Sequence, residues 1–139
     1  MSGLLRLLPD LVWLVPALPL LALLAVGAWV LLGRAHGDAA EPLTARLCAF
    51  AAFCSLALLL AIDLGALLHG APGHRVLGTW FASGNWRGNV SFLLDPLALS
   101  VATLAALIGW LTMRFSANYL HREAGFHRFF IVLSLFLAG

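Results

Sequence analysis

The sequence contains no lysine. Its eight cations are all arginines, and charged residues make up only 10% of the chain. Soluble domains carry about 25% charged residues, so too little charge is present to keep a water-exposed surface in solution. The missing lysine also removes the commonest titrating group of helical proton pumps from these residues. Only two cysteines are present, Cys48 and Cys54. Six positions apart in one apolar run, they fall on different faces of a helix, which argues against a disulfide between them. They read as small apolar residues. There is no glycine-rich phosphate loop, no internal repeat, no serine–histidine–acid set and no pair of catalytic carboxylates. No histidine stands at zinc-ligand spacing from a cysteine or acid partner, so no metal centre is expected. The small excess of arginine does not point to nucleic acid, because the arginines are scattered singly near helix ends.

What is present is apolar: 63% of the 139 residues are hydrophobic. A helix rises about 1.5 Å per residue, and about 20 apolar residues cross the hydrocarbon core. The predicted fold is therefore an all-α integral membrane protein, a single membrane domain over residues 1–139. It has three full spans, at about 11–32, 47–68 and 95–114, and an incomplete fourth at 128–139. Residues 1–10 form a short amphipathic lead with Arg6. The first run is too long for a signal-peptide core and no small-x-small cleavage site follows it, so it reads as a retained span. Pro16 and Pro19 kink its first half, and Trp13 and Trp29 mark its ends. The eleven residues after Arg128 cannot cross a bilayer as a helix. Continuation of the chain, or a partner, is expected to complete that layer.

The connections are polar. Residues 33–46 read as a loop. Between spans two and three, Val76–Phe81 and Val90–Leu93 are rich in β-branched and aromatic residues and flank Ser83-Gly84-Asn85. This predicts a short β-hairpin at the membrane surface, with an irregular loop as the plainer alternative because the strands are short. Span three opens on Asp95-Pro96, a start signal with a mechanism. The Asp carboxylate accepts orphan N–H groups of the first turn, and Pro at the first helical position gives up an N–H that had no partner. Pro96 to Met113 then runs eighteen residues without a charge until Arg114. The loops after spans one and three carry Arg34, Arg46, Arg114, Arg122 and Arg128, against Arg6, Arg75 and Arg87 on the other side. Five against three places the first set in the cytoplasm and the N-terminus outside.

Asp63 is the one acid well inside an apolar run. An ionised group at the centre of a membrane helix costs about 2.5–3.5 kcal/mol on insertion scales, less near an end. It is a candidate for proton relay, with pairing to a nearby cation as the structural alternative. Asp95 is a helix cap first and a second relay candidate. Arg114, His121, Glu123, His127 and Arg128 are expected to make loop and interface contacts. His121 and His127 flank Glu123, and histidine titrates near neutrality, so this loop could gather protons. A solvated polar loop is the plainer alternative.

One stretch carries a resemblance. TWFASGNWRGNVSFLLDPLALSVATLAALIGW, followed by RFSANYLHREAGFHRFF, is similar to the N-terminal part of the antiporter-like large subunits. That family includes subunit 5 of respiratory complex I, the large Mrp-type Na+/H+ antiporter subunit and the membrane subunit of inorganic-carbon transporters. The matching features are Trp80 in the hairpin, Phe92-x-x-Asp95-x-Leu97-Ala98-Leu99, Tyr119 and Gly125 in the loop, and Arg128-Phe129-Phe130. The resemblance implies a non-catalytic helical layer of a proton-translocating complex, foremost an NADH:quinone oxidoreductase of the bacterial plasma membrane. It implies no cofactor in this chain, with quinone, flavin and iron–sulfur clusters in partner subunits. It also implies that the glutamate and lysines of the family's half-channel belong to later helices. An inorganic-carbon uptake complex or a Na+/H+ antiporter is the alternative within the resemblance. A small membrane scaffold or anchor is the alternative outside it.

Overall fold

The computed structural model describes residues 8–33, 40–70, 73–123 and 125–139. Arg6, with most of the N-terminal lead, and Arg34 and His36 of the first loop lie outside the described residues. A 3-10 turn at Leu8–Leu11 leads into α1, Leu14–Leu31. Then follow α2 (Ala40–His69), β1 (Gly73–Ser83), β2 (Trp86–Leu94), α3 (Pro96–Tyr119) and α4 (Phe126–Ala138). Three of these helices are long and apolar enough to cross a membrane, and α4 is the shorter fourth. The chain is a multi-pass membrane protein.

The prolines of α1 are handled individually. Pro16 leaves the Val12 carbonyl without its usual partner, and the Val15 N–H takes it at 3.1 Å. Pro19 is buried in the first half of α1 and leaves the Val15 carbonyl without its i+4 donor. Ser55 on α2 donates its hydroxyl to that carbonyl at 2.8 Å. A neighbouring helix thus repairs the break, as lipid demands of any freed backbone group.

The main correction concerns residues 40–46, expected in a loop and found in the first two turns of α2. Polarity is not what ends a helix here. Pro42 lies within the first turn, where its missing N–H has no intrahelical partner to lose. Glu41 suits the positive pole of the helix. Helix α3 runs on past Arg114 to Tyr119, the longer of the two ends that the sequence allows, and α4 begins at Phe126 rather than His127 or Arg128. The start of α3 is where the sequence puts it. Asp95 is extended, at φ −86° and ψ 161°, and its Oδ1 accepts the Ala98 N–H at 3.0 Å.

Helix α2 packs on both α1 and α3, and α4 lies against α1 and α2 with a lighter contact to α3. The largest core joins all four helices: Ala22 and Val26 of α1, Cys48, Ala51 and Ala52 of α2, Met113 of α3, and Phe126 and Phe130 of α4. Small residues on α2 let the large side chains of α4 approach closely, which is how membrane helices gain packing energy. Gly109 of α3 does the same for Leu137, whose side chain occupies the space a Cβ would need. A second cluster of Val12, Ile62, Leu94 and Leu99 roots the hairpin in the bundle. Beyond that root the ribbon stands clear, with Trp80 and Trp86 exposed.

Both strands are longer than expected, and β1 carries two bulges, at Val76/Gly78 and Thr79/Phe81. Ser83 pairs with Trp86 across a two-residue turn. Gly84 takes φ +59° while Asn85 does not have positive φ. Glycine first and an ordinary residue second is the pattern of a type II′ turn, whose twist suits the flanking strands.

Candidate functional site

Besides the Ser55–Val15 bond, two groups of polar contacts among the described residues tie the chain together, one towards each end of the bundle. At the hairpin end, Asp63 is half-buried on α2. Its Oδ2 accepts the Thr103 hydroxyl of α3 at 2.6 Å. Asp63 lies six residues before the end of α2, and Thr103 seven after the start of α3. At 1.5 Å per residue each is about 9–10 Å inside its helix, so two antiparallel helices bring them level. A carboxylate with a hydroxyl partner can hold a proton and pass it on, because the hydroxyl both donates and accepts. Asp95 is engaged differently, as the cap of α3. The two relay candidates thus have separate partners.

At the other end, the first turns of α2 meet the loop between α3 and α4. Glu41 is buried, and its Oε2 lies 2.8 Å from His121 Nδ1 and accepts the Arg122 backbone N–H at 3.1 Å. Glu41 lies ahead of the membrane-crossing stretch of α2, which begins near Leu47. The Arg122 N–H holds its carboxyl below the ordinary carboxylate range; burial opposes this, and His121 and then His127 add to it. Arg122 adopts φ +68°, a left-handed conformation, and this turns its N–H towards Glu41. One turn along α2, the Thr44 hydroxyl lies 3.0 Å from His127 Nδ1 and also donates back to the Ala40 carbonyl at 3.1 Å.

Of the predicted contact residues, His121 and His127 therefore both reach α2 rather than enclosing Glu123. The Glu123 side chain is exposed, and its backbone turns the loop through bonds from its N–H to Leu120 and from the Phe126 N–H to its carbonyl. Arg114 is exposed on α3 and lines a cleft with Arg46, and Arg128 is exposed on α4. Glu41, Thr44 and Thr103 were not foreseen as site residues. Glu41-Pro42 could have been read as a helix-start signal, whereas nothing in the order of residues pairs Thr103 with Asp63. Both cysteines are free, and among the described residues no cluster of three metal-ligating side chains occurs.

Residues 80–130 match the family described as NADH-ubiquinone oxidoreductase (complex I), chain 5 N-terminus. The match runs from mid-β1 through the hairpin turn and α3 into α4. The chloroplastic NAD(P)H-quinone oxidoreductase subunit 5 of Angiopteris evecta is 31% identical over 131 residues, 92% of this chain and 16% of the relative. That of Nephroselmis olivacea is 30% identical over 128 residues, 90% of this chain and 19% of the relative. The corresponding subunit of the Paulinella chromatophora chromatophore is 28% identical over 131 residues, 94% of this chain and 19% of the relative. The chain spans less than a fifth of the length of these relatives. The hairpin and the Asp95-led helix lie in the stretch that is similar to this chain 5 N-terminal family.

Proposed function

We propose that this chain forms the opening helical layer of a membrane subunit in a proton-translocating, complex I-like quinone oxidoreductase. The observation that carries this reading is the chain 5 N-terminal match, which falls on the hairpin, α3 and the start of α4. In this role the chain performs no bond-making chemistry and holds no redox group. Flavin, iron–sulfur clusters and quinone belong to partner subunits, and helices outside residues 1–139 carry the main channel groups. The chain works as one membrane domain in a bacterial plasma membrane, with its N-terminus outside, as the arginine distribution favours.

Within this layer Asp63 is the residue we assign to proton handling. A carboxylate in a membrane span marks a functional position by default, and its Thr103 partner is named by the structure. Asp95 fixes the start of α3 so that Thr103 stands level with Asp63. The test is Asp63→Asn in membrane vesicles that carry the assembled complex. Asn keeps the size and an acceptor for Thr103 but cannot release a proton. The variant should insert and assemble as wild type, keep electron transfer from NADH to quinone, and acidify vesicles more slowly. Unchanged acidification would remove Asp63 from the relay. Full pumping by vesicles that lack the whole chain would overturn the functional reading itself.

A further inference from the structure

An open cleft of about 570 Å³ runs along the seam of α2 and α3, on a face that no other described element covers. Its chemistry is graded. At one end stand two arginines, Arg46 of α2 and Arg114 of α3. Towards the middle of the membrane follow Phe50, Phe53 and Trp110, with the rings of Phe53 and Trp110 5.8 Å apart. The grading follows from helical spacing. Residues 46, 50 and 53 fall on one stripe of α2, and 110 and 114 on one stripe of α3.

The two arginines also sit at one depth. Arg46 is six residues from the start of α2 and Arg114 five from the end of α3. At 1.5 Å per residue both are about 8–9 Å from the same end of an antiparallel pair. Both are exposed, and among the described residues neither meets a carboxylate. The nearby acid Glu41 is already engaged by His121 and the Arg122 N–H. Two level cations with no carboxylate partner among the described residues, above an apolar aromatic floor, complement one kind of molecule: a negatively charged headgroup with acyl chains beneath it.

We propose that this cleft binds one anionic phospholipid. Arg46 and Arg114 hold the phosphate through their guanidinium groups, whose planar donors match phosphate oxygens. The acyl chains lie along Phe50, Phe53 and Trp110. Both arginines belong to the arginine-rich side of the chain, where anionic headgroups draw basic residues to the membrane surface. The lipid would seal the α2–α3 seam beside the Glu41 contacts. The proposal needs only that the helices span a bilayer and does not depend on the proposed role in proton translocation.

The experiment is native mass spectrometry of the full chain in detergent, titrated with equal amounts of dioleoyl phosphatidylglycerol and dioleoyl phosphatidylcholine. Wild type should retain one phosphatidylglycerol in preference to phosphatidylcholine by about tenfold or more, the scale set by two cations near a headgroup. Arg46→Gln/Arg114→Gln should lose that preference, and Arg46→Lys/Arg114→Lys should keep most of it. Equal retention of the two lipids by wild type overturns the proposal, as does a preference that survives the double Gln change. Should the Gln variant fail to fold, the wild-type preference still decides. So does a photo-crosslinking residue at Phe50 in native membranes. A phosphatidylglycerol adduct supports the proposal, and capture of a protein helix or of a second copy of this chain overturns it.

Discussion

At Val15 a single missing proton has to be replaced from another helix. Pro19 cannot donate to this carbonyl, and the Ser55 hydroxyl does so instead at 2.8 Å. Ser55→Ala should lower stability in detergent by about 1–2 kcal/mol, the usual cost of stranding a buried acceptor. In a Pro19→Ala background the same change should cost much less, because the restored N–H reaches Val15 along its own helix. Thermal unfolding of the four proteins in that cycle measures the difference, and an equal loss in both backgrounds would refute the account. The example also shows what can be read from the order of residues. Pro19 is visible in α1 as a place where a helix must be helped. The helper is 40 positions away from the carbonyl that it serves, and serine is common in membrane helices. Asp63 is the same case: a lone acid in an apolar run is easy to see, but Thr103, again 40 positions on, is known only once α2 and α3 are packed.

Among the elements, those with a chemical start signal were the most legible. Asp95-Pro96 states where α3 begins, and the cap bond to Ala98 is the reason. Helix α2 carries a weaker signal. Glu41, Thr44 and Arg46 are polar but compatible with a helix, so the drop in hydrophobicity at 40–46 marks the edge of the lipid and not the end of the helix. The hairpin was legible in its turn residues, whereas its length was not, because bulges at Val76/Gly78 and Thr79/Phe81 interrupt the alternation. A two-stranded ribbon is marginal on its own, so this one depends on its turn and on the Leu94 root. Gly84→Ala forces a Cβ into a left-handed conformation and should weaken the ribbon by about 1 kcal/mol. Hydrogen exchange should then quicken at the amides of β1 and β2 and stay unchanged in α2 and α3. Exchange that quickens nowhere would mean that the turn does not hold the ribbon.

For the molecule as a whole, the exposed residues describe its solvent. Leu21, Leu24, Phe50, Leu67, Leu104 and Phe136 point outwards from four different helices, and the charged contacts gather at the two ends. An odd number of crossings separates the hairpin from the loop between α3 and α4. Single cysteines at Asn85 and Glu123, in a chain without Cys48 and Cys54, should therefore react with a membrane-impermeant maleimide from opposite faces of sealed vesicles. Labelling from the same face would dismiss α3 as a span. The length of α2 has a last consequence. Glu41 and Asp63 are 22 residues apart on this one helix, a separation of about 33 Å, which is the thickness of the oily interior itself. A proton hops between groups about 3 Å apart or across one bridging water. Helix α2 therefore keeps its two carboxylates too far apart for a direct exchange, and the side-chain contact that Asp63 does make runs sideways, to Thr103 of α3.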